Sequence, residues 1–98
     1  MIEVRETVAF ASWFASLEDI RARSKVRVRL RRLSLGNPGD VRPVGRGVSE
    51  LRIDWGPGLR IYFVTRGKTL VILLGGGDKR TQARDIERAS ELAFHLEE

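Results

Sequence analysis

Residues 48 to 74 leave this chain few ways to fold. Val48 to Asp54 alternates apolar and polar residues, as a half-buried strand does. "DWGPG" (54–58) then makes a hairpin turn, with Pro57 presetting φ and Gly58 permitting a positive φ. Leu59 to Thr65 alternates again, with Arg60, Tyr62 and Val64 on one face and Leu59, Ile61 and Phe63 on the other. "RGK" (66–68) supplies a second tight turn. Leu70 to Leu74 is continuously apolar, which suits a central strand covered on both faces. Strands joined by turns this short pair as an antiparallel meander.

The flanks fill in the rest. Ile2 to Arg5 suits a short first strand. Thr7 is placed to cap a helix carrying Val8, Phe10, Ala11, Phe14 and Leu17, and Asp19 to cap the next. Within that second segment "KVRVRLRRL" alternates like a strand. The longer window favours a helix, because Ala22, Val26, Leu30 and Leu33 recur at helical spacing. "GNPGDVRPVGRG" (36–47) reads as a loop, its prolines and glycines excluding a helix. From about Lys79 to the end the pattern is helical. Ala83, Ile86, Ala89, Ala93 and Leu96 share a face, and Asp85, Glu87, Glu91, Glu97 and Glu98 lie largely elsewhere. The order β, α, α, loop, β, β, β, α describes one small α+β domain over residues 1–98.

Charge narrows the partners. Residues 21 to 46 hold nine basic residues against Asp40 alone, in a chain of net charge +5. On the helical reading Arg21, Lys25, Arg29 and Arg32 form one stripe. Such a segment is the footprint of a polyanion, or else a solvated face or the contact for an acidic partner protein. The chain has no cysteine and one histidine, which excludes disulfides, thiolate catalysis and a zinc-ligand cluster. No cofactor is expected. "MIEVRE" does not read as a signal peptide, and the apolar run 70–74 is too short to cross a membrane, so a soluble, cytoplasmic protein is expected.

"LLGGGDKRTQA" (73–83) suggests a phosphate-cradling loop, but the spacing fails. The phosphate loop of nucleoside triphosphatases needs a Gly directly before the Lys and a Ser or Thr directly after it. Here Asp78 precedes Lys79 and Arg80 follows. The dinucleotide pattern lacks its third Gly, and the order of elements has no parallel β-α-β unit. The glycines read instead as a strand end, with Asp78 as a helix N-cap.

Two longer stretches, "GVSELRIDWGPGLRIYF" (47–63) and "LVILLGGGDKRTQARDIERASEL" (70–92), resemble the HigB-like "addiction module killer protein" branch of the RelE/ParE toxin superfamily. The likeness extends over nearly the whole chain. It implies two N-terminal helices packed on a four-stranded, mostly antiparallel sheet, followed by a C-terminal helix. It also implies a toxin of a type II toxin–antitoxin system, most characterised RelE-like members being ribosome-dependent mRNA endonucleases. The implied partners are the ribosome, mRNA and a cognate antitoxin, commonly a helix-turn-helix DNA-binding protein, with no membrane. The ParE branch shares the fold but poisons gyrase without enzymatic activity, and an attenuated toxin would act only as an antitoxin-binding module.

The resemblance assigns candidate residues. Metal-independent RNA cleavage must deprotonate and align a 2′-OH, stabilise the phosphorane and protonate the 5′-oxygen. Arg suits the stabilisation, since its fork matches phosphate oxygens and stays charged. Arg60 matches the Arg after the hairpin Gly that contacts the scissile phosphate, and Arg52 falls near a basic position on the preceding strand. The alternative reading is a pair of ordinary exposed strand arginines. Lys79 stands where the family places a basic residue after the last strand, in an electrostatic role. Arg80, Thr81 and Gln82 are candidates for RNA contact beside it, Thr81 equally as a helix cap. Arg21, Lys25, Arg29, Arg32 and Arg46 would dock RNA. Tyr62 would stack on a base or fill the core, and Trp55 would stack on a base or pack on a loop. The chain departs from the best-understood ribonuclease members in lacking their catalytic Tyr or His near the C-terminus: Ile86 occupies that region, and His95 reads as a surface residue.

Overall fold

A computed structural model describes residues 1–96; Glu97 and Glu98, assigned above to the last helix, lie outside the described residues. The elements in chain order are β1 (Glu3–Glu6), α1 (Val8–Ser16), α2 (Ile20–Ser34), β2 (Val41–Gly45), β3 (Val48–Ile53), β4 (Leu59–Arg66), β5 (Leu70–Asp78), a 3-10 turn (Lys79–Thr81) and α3 (Gln82–His95). The strands form one sheet in the order β1-β5-β4-β3-β2. β1 runs parallel to β5, and every other pairing is antiparallel.

Both N-terminal helices start where their caps predict. The Thr7 hydroxyl accepts from the Phe10 amide at 3.2 Å, and the Asp19 carboxylate accepts from the Arg21 amide at 2.9 Å. The ambiguous 20–34 segment is helical, and Ala22, Val26 and Leu33 bury its apolar face. Full burial of a side chain the size of Val26 is worth about 1.5–3 kcal/mol.

The pleat splits the core in two. Phe10, Val26 and Leu33 pack with Leu51, Ile61, Phe63 and Leu73 beneath α1 and α2. Ala89 and Ala93 of α3 pack with Val48, Tyr62, Val64, Ile72 and Leu74 on the opposite face. The continuous apolar run in β5 serves both layers, because its odd and even residues feed different cores.

Three expectations are corrected. The sheet has five strands rather than four, since residues 41–45 of the expected loop form β2 along the edge of β3. An edge strand tolerates Pro43, whose missing N–H costs no ladder bond when it faces solvent. Only Val41 and Val44 reach the two cores, so the segment carries too little apolar pattern to read as a strand. The second correction concerns Gly75, Gly76 and Gly77. They do not end the strand; β5 continues through them, with Gly75 opposite Tyr62, Gly76 opposite Ile61 and Gly77 opposite Arg60. Close approach explains two of the three. A Cβ on Gly76 would collide with the Trp13 ring of α1, and one on Gly77 with the Asp85 carboxylate of α3. Asp78 caps the 3-10 turn rather than α3, accepting from the Arg80 amide at 2.8 Å.

Candidate active site

The hairpin register makes Arg52 and Arg60 direct cross-strand partners, and Glu50 and Tyr62 the next pair on the same face. Beside them β5 offers only Gly77 and Gly75, so no β5 side chain rises there, and Asp85 of α3 closes over Gly77. Four elements meet at Glu50, whose side chain is wholly buried. Its Oε1 accepts from Arg42 Nε of β2 at 3.2 Å. Its Oε2 accepts from the Tyr62 hydroxyl at 3.1 Å and from Gln82 Nε2 of α3 at 2.8 Å. Arg60 lies at ion-pair distance, with Nε 3.8 Å from Oε2, and that nitrogen is buried without a hydrogen-bond partner. The Arg60 side chain is 12% exposed. Its closest approach to Glu50 is through Nε, which leaves the two terminal amino groups on the far side of the fork.

Tyr62 is fully buried, which corrects its candidacy as a base-stacking residue: its ring has no open face and its hydroxyl is committed to Glu50. Burial first, then the Glu50 charge and the hydrogen bond to it, push the phenol well above its ordinary value. The folded protein therefore holds this proton where the unfolded chain has lost it. The contribution to stability is complete below about pH 10, the unfolded phenol value, and declines as pH rises beyond it. Chemical denaturation at pH 8 and pH 11 checks this. Stability should fall between the two, and Tyr62→Phe should remove much of that fall.

The remaining candidates divide. Gln82 joins Arg60 through the shared Glu50 oxygen. Lys79 is exposed in the 3-10 turn beside the hairpin, where a methyl group on Gly58 would sit 3.7 Å from its Cβ. Arg80 folds back onto Asp78, with Nη2 2.8 Å from Oδ2, and that bond holds the Asp78 carboxyl below the usual carboxylate range. Thr81 donates to Asp85 at 2.5 Å and makes no side-chain cap bond. Arg52 reaches Asp40 at 2.8 Å.

The basic stripe lies on the other face of the sheet. Arg21, Lys25, Arg29 and Arg32 line a groove of about 620 Å³ that ends at Trp55. Lys25 sets its ammonium 4.9 Å from the Trp55 ring centroid, and Trp55 Nε1 donates to Asp19 at 3.2 Å. Trp55 thus packs within the groove. Arg29 is half-buried and structural in part, donating to the Arg52 carbonyl at 2.6 Å and the Pro38 carbonyl at 2.9 Å. Burial holds its pKa below the ordinary Arg value. Arg52 links the two faces: its carbonyl serves the α2 side and its side chain rises on the α3 side. Arg46 stands apart, in the β2–β3 turn at the opposite end of β3, paired with Glu87 at 3.6 Å.

Residue reading missed Glu50, Arg42 and Asp40, and a signal for Glu50 was present. Val48, Glu50 and Arg52 share a pleat face, and the tight 54–58 turn sets Glu50 opposite Tyr62.

Residues 12–93 match the family model described as "Phage derived protein Gp49-like (DUF891)". The chain is also 46% identical over 95 residues to a Haemophilus influenzae protein named "Uncharacterized protein", covering 97% of this chain and 96% of that one.

Proposed function

Because the chain belongs to the phage-derived Gp49-like family, a RelE-like family of type II toxins, we propose that it is a toxin that arrests growth by cutting mRNA on the ribosome. The observation that carries this reading is the cross-strand pairing of Arg52 with Arg60, with an exposed Lys79 next to Gly58 of the hairpin turn. Arg60 is largely buried and meets Glu50 through Nε, and a guanidinium fork is the form that suits a phosphate whose charge grows in the transition state. Arg52 and Lys79 add charge around it. The basic groove on the α2 face would supply a second contact for a polyanion, suited to ribosomal RNA. A cognate antitoxin, of the HigB-associated helix-turn-helix kind, would neutralise the protein.

Mapping RNA ends after induction in cells without the antitoxin tests the proposal. Cuts within translated reading frames are expected soon after induction; arrested growth with intact transcripts would overturn it. The groove has its own test. Replacing exposed Arg21 and Lys25 together with Ala should weaken binding to single-stranded RNA. The slope of log affinity against log salt should fall by about 0.7 for each phosphate that is no longer neutralised.

One observation favours a second reading. No exposed imidazole or phenol stands beside Arg60 among the described residues to carry a proton. Tyr62 is buried, and His95 is at the far end of α3, about 20 Å from Gln82 at 1.5 Å per residue. A gyrase poison of the ParE type needs no such group. Induction would then break DNA and trigger the SOS response while sparing mRNA.

A further inference from the structure

We propose that Glu50 is the positioning residue of this site: its buried carboxylate fixes Arg60, Tyr62 and Gln82 in one constellation, and the reaction depends on it although it does not touch the substrate. The inference rests on the reading of Arg60 as a phosphate-contacting residue.

A carboxylate with no exposed surface is costly unless donors surround it. Glu50 has donors from three elements besides its own strand, Arg42 of β2, Tyr62 of β4 and Gln82 of α3, and Arg60 of β4 lies at ion-pair distance. Packing alone does not account for such a group in the core, because apolar residues of similar volume replace buried ion pairs at little or no cost in stability. What the carboxylate supplies is direction. Tyr62 and Gln82 approach Oε2 from different elements, and Arg60 approaches the same oxygen through Nε. The planar guanidinium then has its terminal nitrogens turned away from Glu50. Tyr62 and Gln82 also hold Oε2 from two sides, which pins the oxygen against which Arg60 rests. The other charged groups near this cluster are Arg52, the cross-strand partner of Arg60, and Asp85 of α3, which lies against Gly77.

The same geometry assigns Tyr62 a role other than proton transfer. Its hydroxyl is sequestered against Glu50 and stays protonated, so it acts as a strut. It is also the sole tyrosine of the chain, and its titration reports the state of Glu50 directly.

The test uses the full-length protein. Glu50→Gln keeps the shape and removes the charge. It should lower ribosome-dependent mRNA cleavage by about 10- to 100-fold, the usual cost of losing a group that orients a functional side chain. kcat and kcat/KM should fall together, since the Arg60 contact that Glu50 orients is one made in the transition state. Absorbance titration of Tyr62 should move toward the ordinary phenol value in the same variant. Gln82→Met removes one donor from the surface side without opening a void; it keeps the fold measurable if Glu50→Gln folds poorly, and should lose cleavage several-fold. Full cleavage by folded Glu50→Gln, or by Gln82→Met where Glu50→Gln does not fold, overturns the proposal, as does an unmoved tyrosine titration. If the wild-type protein arrests growth without cutting RNA, the nuclease reading fails by itself. Positioning is then scored on growth arrest, which Glu50→Gln must abolish and which, if retained, ends it.

Discussion

Arg60→Lys protein should fold, unfold close to the wild type, and cut mRNA about 100- to 1,000-fold more slowly, the usual cost of removing one preorganised donor to a developing charge. The substitution separates charge from shape. Lys keeps a cation beside Glu50, so the carboxylate is not abandoned in the core. Little stability is at risk, because Arg60 Nε is 3.8 Å from Oε2 and makes no hydrogen bond. The fork is lost, and with it the two terminal amino groups that can grip two phosphate oxygens at once. RNA cleavage in a translation extract, beside a denaturant melt, measures both. A folded Arg60→Lys or Arg60→Ala protein with full toxicity would remove Arg60 from the site, and the phosphate reading of Arg52 with it.

Gly76→Ala should destabilise the fold by about 1–3 kcal/mol, while Gly75→Ala next to it should be close to neutral. The two sites share a strand and differ in what a methyl group would meet. At Gly76 it enters the Trp13 ring, which is held by α1 and packs against Phe10 at 5.7 Å. At Gly75 nothing lies within 4 Å. A loss of that size is a large share of the stability of a domain this small, about 5–15 kcal/mol in total, and would lower Tm by about 4–8 °C per kcal/mol. Urea unfolding of the two variants side by side decides it. Equal midpoints would mean that Trp13 yields without cost and that the glycine is not there for close approach.

Legibility in the sequence tracked how local the cause was. Caps, turns and helix faces depend on a few neighbouring residues, and Thr7, Asp19, Pro57 and Gly58 announce them. The pairing of Arg52 with Arg60 was readable for the same reason, since one tight turn sets the whole register. What escaped depends on distant partners. β2 exists because β3 offers it an edge, and its two valines only make sense once there are two cores to enter. Gly76 stays in the strand because of a tryptophan on α1. Glu50 reads as a solvent-facing strand residue until α3 folds over it, and only then does burial turn a charge into an organising centre. The basic stripe was legible as a stripe. That it lies across the sheet from Arg60 was not, because the helix pattern says which residues align but not which side of the sheet the helix covers.

The parallel pairing of β1 with β5 carries a consequence for how the molecule comes into being. It joins residue 3 to residue 70, and the cluster beneath α3 draws on residues 42 to 85. Contacts so remote in sequence must pay loop-closure entropy before they return any stability, so they form late and slowly. A chain still being synthesised has its basic helix long before it has Gln82. The basic groove, lined by residues 20 to 55, therefore has its whole lining in the chain before the Glu50 cluster, which waits for Gln82.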